Sequence, residues 1–125
     1  MNKSYGKDIQ LLMKILQNQD KIKNVLRDFN CNEKNLDQSQ YGFDLCAMYM
    51  SQIGEASKYL TDDTKQSFKN FDPSITGYFR NMIDHVYEKV NKAVLKAYVF
   101  NMVKPDVIKE VKDRIIFCSE HAKEE

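Results

Sequence analysis

The chain has 125 residues, of which 42% are hydrophobic and 30% charged, with a formal net charge of +1. That length bounds one domain, 1–125, with room for a sizeable core, and the composition excludes a disordered chain. The near-neutral balance argues against a protein that grips long RNA or DNA over its whole surface, while leaving room for a small, locally basic cleft.

Four glycines and two prolines are too few for the turns of a sheet protein of this size. Composition therefore predicts an all-α fold of long helices and few loops. The cysteines, Cys31, Cys46 and Cys118, are odd in number and show no metal-ligand spacing, which suits a reducing compartment and no bound metal. The first eight residues lack the apolar core of a signal peptide, and no run approaches membrane-spanning length. A cytoplasmic protein without membrane contact is expected.

In chain order, residues from about Asp8 to Phe29 predict a first helix. Ile9, Leu12, Met13, Leu16, Ile22, Val25, Leu26 and Phe29 recur at three- and four-residue steps. Asn30 to Gln40 is polar and reads as a connection. From about Tyr41 to Leu60 a second helix is apolar nearly all round, which predicts a central element packed on several sides. Within it, Gly54 marks a close approach, and Glu55 is a near-core carboxylate whose expected partner is Arg80. Thr61-Asp62-Asp63-Thr64 is a capped helix start, giving a short helix to about Lys69.

Asp72-Pro73 opens a further helix to about Val90. Asn91 to Val103 reads either as a separate helix or as its continuation. Lys104-Pro105 starts a last helix to about Ser119, followed by a polar tail in which His121 is expected to be solvated. The sum is an antiparallel up-and-down bundle of four long helices with one or two short ones.

The stretch from Phe79 to Tyr87 carries the candidate chemistry. On a helix, Phe79, Met82, Ile83, Val86 and Val90 share one side, and Arg80, Asn81, Asp84, His85 and Glu88 share the other. Any amphipathic surface helix can show such a polar face. The stretch nonetheless holds one of only two histidines, with a cation upstream. No phosphate loop, zinc spacing or paired carboxylates appear. What remains is proton transfer assisted by a fixed cation.

RNA suits that toolkit, because its 2′-hydroxyl is an internal nucleophile and cleavage needs a base, an acid and charge stabilisation but no metal. An unperturbed histidine exchanges its proton near neutral pH, which suits His85 to base or acid work, and Arg80 can clamp a phosphate through two N–H groups. Five helical steps set Arg80 and His85 roughly 140° apart, whereas Asn81 and His85 share a face. Either the helix bends or a second subunit completes the site; a homodimer pairing two histidines is the favoured arrangement.

Arg80-Asn81 followed by His85-Val86-Tyr87 resembles the Arg-x4-His-x-Tyr signature of the HepT-like toxins, within the wider HEPN helical-bundle ribonucleases. Ile53-Gly54-Glu55-Ala56 resembles the Ile-Gly-Glu-Ala segment of that family's second long helix. The resemblance runs from the first helix to the last. It implies a metal-independent endoribonuclease, without cofactor, acting as a homodimer with Arg80 and His85 of both subunits lining a cleft. It further implies the toxin of a type VII-like toxin–antitoxin pair, neutralised by a cognate MntA-like nucleotidyltransferase that transfers AMP from ATP to Tyr87. Many relatives have a Trp shortly before the arginine; this chain has none, and Ile75, Tyr78 and Phe79 would fill that place. The competing readings are a non-catalytic bundle that binds a nucleotide or partner, and a purely structural dimerisation module.

Overall fold

The computed structural model describes residues 5–73 and 92–122. Among the described residues there are five α-helices and one short 3-10 turn, with no strand, and the helices pack against one another as a bundle. The helices are α1 (Tyr5–Asp28), α2 (Gln40–Lys58), α3 (Asp62–Ser67), α4 (Lys92–Met102) and α5 (Pro105–Ala122).

The first helix is the spine of the described fold and packs along both α2 and α5. Its buried row, Asp8, Leu12, Ile15, Gln19 and Ile22, follows the three- and four-residue steps that keep side chains on one face. The start of α1 meets the end of α5, with the Tyr5 and Phe117 rings edge to face at 5.8 Å. Farther along, Gln19 Nε2 donates to the Met102 carbonyl at 3.1 Å and ties α1 to the end of α4.

Helix α1 ends through Asn30, which adopts φ 52°. Asn tolerates this left-handed conformation better than most residues. Cys31 N–H then donates to the Leu26 carbonyl and Asn30 N–H to that of Arg27, the paired bonds that satisfy carbonyls left over at a helix end. The connection turns on Asn32 and Asn35 side chains and buries Leu36. Ser39 then caps α2 by accepting from the Gly42 N–H. A Cβ at Gly42 would lie 2.8 Å from Ser39 Oγ and 3.0 Å from Cys31 Sγ, so glycine lets the connection lie against the helix.

Phe43, Cys46, Ala47, Met50 and Ile53 of α2 join Leu95 and Val99 of α4 and Val111 of α5 in the core. Helix α2 packs on several sides, against α1, α4 and the 3-10 turn, while Tyr41 is 75% exposed and Met48 44%. A helix of 19 residues has only so many neighbours, and its apolar excess stays at the surface. The expectation that His121 is solvated needs correction. Helix α5 continues to Ala122, and His121 is half-buried, stacked on Phe117 at 4.0 Å with Nδ1 2.8 Å from the Phe117 carbonyl. The aromatic neighbours Phe117 and Tyr5 give the ring a place to pack.

Candidate functional site

Arg80, Asn81, His85 and Tyr87 lie outside the described residues, as does the contact expected between Glu55 and Arg80. Of the candidate residues, Glu55 is described. It sits near the end of α2, half-buried and engaged with its surroundings, between the buried Gly54 and Ala56. A carboxylate at that depth can accept hydrogen bonds from a neighbouring cation without losing all contact with water.

What the described residues supply is the frame that carries the two ends of segment 74–91. On the N-terminal side the chain turns at Lys69-Asn70-Phe71, and the Glu110 carboxylate of α5 accepts all three backbone N–H groups at 2.8–2.9 Å. Burial pushes the Glu110 carboxyl up, but the N–H groups of Phe71, Lys69 and Asn70, with the Lys69 charge, together hold it below the ordinary value of 4.5. Phe71 is buried beside this anchor and meets Phe68 edge to face at 4.9 Å. On the C-terminal side, Lys92 Nζ lies 5.2 Å over the Phe43 ring, and Lys96 pairs with Asp37 at 3.3 Å. Leu95 and Val99 fix α4 in the core.

A second anchor lies one turn earlier in the chain. Asp8 is fully buried and accepts from Thr61 N–H at 3.0 Å, Thr61 Oγ1 at 2.6 Å and Thr64 Oγ1 at 2.6 Å. Thr61 is the N-cap of α3, its hydroxyl oxygen accepting from Thr64 N–H. Arg114 Nε donates to Thr64 Oγ1 at 3.1 Å, while its guanidinium lies 4.2 Å over Phe117 and 4.0 Å from Asp63. The buried carboxylate thus faces a cation across a shared hydroxyl, which lowers the cost of burying either charge. Cys118, 4.0 Å from Thr64 Oγ1, has its thiol pushed up by burial, against the pull of Arg114. Tyr5 donates to Asp63 at 2.9 Å, and that hydrogen bond, with burial, raises its phenol.

The sequence reading missed both acids. Glu110 carried no local signal, since its partners are about 40 residues away in the chain. Asp8 did carry one: it falls on the same row as Leu12, Ile15, Gln19 and Ile22, where a carboxylate needs partners. Among the described residues, no cluster of three His, Cys, Asp or Glu side chains could hold a metal ion, and no helix is long and apolar enough to cross a membrane.

No protein-family model, no curated protein and no solved structure matches this chain.

Proposed function

We propose that this protein is a metal-independent endoribonuclease, the toxin of a toxin–antitoxin pair built on an antiparallel HEPN-like bundle. The observation that carries the reading is the pairing of Arg80-x4-His85-x-Tyr87 with Ile53-Gly54-Glu55-Ala56 about 25 residues upstream. Two features of the described fold support it. The chain is all-helical, and the Gly54-Glu55 pair lies on the second long helix, with the glycine buried and the carboxylate half-buried.

In this reading His85 takes the proton of the RNA 2′-hydroxyl, whose oxygen attacks the adjacent phosphorus. The bond to the leaving 5′-oxygen breaks, and that oxygen takes a proton from the second histidine of a homodimer. Arg80 clamps the phosphate as charge builds on its oxygens. Asn81 orients the reacting groups, and Glu55 holds Arg80 in place. Modification of Tyr87 with AMP by an MntA-like nucleotidyltransferase brings a phosphate charge to the place where the RNA phosphate binds.

The deciding experiment is RNA cleavage in EDTA by wild type and His85→Ala. Cleavage by wild type alone is expected. Cleavage that needs added metal, or that His85→Ala retains, overturns the mechanism. Intact mass of the purified chain establishes whether Tyr87 is free in the sample assayed. An inactive chain of unmodified mass turns the reading to a binding module.

A further inference from the structure

One exposed row of α1 is composed unlike the rest of the molecule. Lys7, Gln10, Lys14, Gln17 and Lys21 are exposed and Asn24 half-buried, at alternating three- and four-residue steps that place them in one line. Lysine and amide alternate, and no carboxylate interrupts them. The exposed Asp20 borders the row, three residues from Gln17 and four from Asn24. Seven residues of helix separate successive lysines, so the ammonium groups repeat about every 10.5 Å.

Tyr49 of α2 and Tyr59, its C-cap, flank this row. Lys21 Nζ lies 5.7 Å over the Tyr49 ring, and Lys7 Nζ lies 5.6 Å over the Tyr59 ring. Tyr59 also has Lys58 Nζ at 5.4 Å, and Lys65 Nζ donates to the Lys58 carbonyl. Among the described residues, Lys7, Lys14, Lys21 and Lys58 form no ion pair. The acids near this edge are Asp20 of α1, Glu55, four residues before Tyr59, and Asp62 and Asp63 of the next turn; Asp63 is held by Tyr5 and Arg114. A chain of net charge +1 thus places four lysines that form no ion pair among the described residues, and two tyrosines, along one edge.

We infer that this α1–α2 edge is a binding track for single-stranded RNA, with Lys7, Lys14 and Lys21 neutralising phosphates and Tyr59 stacking on a base. Lysines supply contacts to phosphate that are blind to sequence, amides supply hydrogen bonds to sugar and base edges, and half-exposed rings supply stacking platforms. Stacking requires an unpaired base, which selects single strands over duplex. The choice of RNA rests on the ribonuclease reading; the phosphate chemistry of the track does not.

The test measures binding of a labelled single-stranded RNA oligonucleotide at several salt concentrations, in a His85→Ala background so that nothing is cleaved. The parent is compared with Lys7→Ala/Lys14→Ala/Lys21→Ala and with a charge-matched control, Lys23→Ala/Lys104→Ala/Lys112→Ala, whose three lysines are also exposed. Exposed Lys→Ala changes in helices leave the fold intact, and circular dichroism checks this. Each lost phosphate contact lowers the log–log salt slope by roughly 0.7, so the track variant should lose about 2 and the parent's advantage should shrink about 20-fold between 50 and 200 mM salt. Tyr59→Ala should weaken binding at unchanged slope, and Tyr59→Phe should restore it.

Three outcomes overturn the track: no RNA binding by the parent, equal binding by the track variant, or equal loss in the control. RNA binding through the track by a chain whose wild type, at its unmodified mass, cleaves nothing refutes the ribonuclease reading and leaves the track standing. Cleavage by wild type with a track variant that binds like its parent does the reverse.

Discussion

Replacing Asp8 tests whether the buried polar anchor holds α3 to the bundle. Its carboxylate accepts one backbone N–H and two hydroxyls at 3.0, 2.6 and 2.6 Å with the side chain fully buried. Hydrogen bonds to a charged acceptor contribute roughly 1.5–3 kcal/mol each, and a buried donor left unpaired costs the same order. The Thr61 backbone N–H is fixed in direction, whereas the two hydroxyls can rotate. Counting one full bond and about half of each of the others, Asp8→Ala should cost about 3–6 kcal/mol. Asp8→Asn keeps the shape and one acceptor oxygen, and should cost roughly half as much. Domains of this size have about 5–15 kcal/mol in total, so the Ala variant should unfold at a much lower urea concentration. Urea unfolding at fixed protomer concentration measures the difference, since dimer formation would make stability concentration-dependent. If Asp8→Asn matches wild type, the charge contributes nothing and the account of Asp8 and Arg114 sharing Thr64 is wrong.

The Glu110 anchor carries a pH signature. Glu110 is held below 4.5 in the fold, so its contribution is complete above that value and is lost as pH falls through the lower folded value. Glu110→Gln should therefore cost roughly 1–2 kcal/mol at pH 7 and progressively less in acid; a loss of equal size at every pH refutes the assignment. Cys46 is fully buried, and its thiol is pushed up to about 12 by burial and by the neighbouring Cys31. Native alkylation at pH 8 should accordingly label the half-buried Cys31 and spare Cys46 until urea unfolds the chain, as peptide mass mapping would show. Tyr87→Phe should retain RNA cleavage and escape the nucleotidyltransferase in a co-expression growth assay. Neutralisation of that variant would sink the modification route.

Local chemistry was legible in the sequence where the partners are close along the chain. Thr61 caps α3 as its position before two acids suggested, and Pro105 begins α5 as a first helical residue should. Of the stripe expected on α1, Leu12, Ile22 and Val25 are buried, whereas Met13 and Phe29 are exposed and the buried row runs instead through Asp8, Ile15 and Gln19; the helix begins at Tyr5, with its first turn in contact with Asp63 and Phe117. Long-range partners left no such trace. Periodicity says which residues of α2 can be buried but not which faces find neighbours, so Met48 and Tyr59 stayed at the surface. Glu55 reads the same way in both views, a carboxylate beside the core; its four companions in the proposed site lie outside the described residues.

The lysines of α1 show the converse. In sequence they looked like the solvated side of an amphipathic helix, since nothing local distinguishes a solvated face from a binding face. Only the arrangement of α2, which brings Tyr49 and Tyr59 within 6 Å of Lys21 and Lys7, turns a charge pattern into a surface with a preferred ligand. Exposed lysines paired with acids would add little and bind nothing. Unpaired lysines beside aromatic rings keep their charge available to a polyanion, and that is the sense in which the tertiary structure, rather than composition, gives this near-neutral chain an affinity for RNA to be tested.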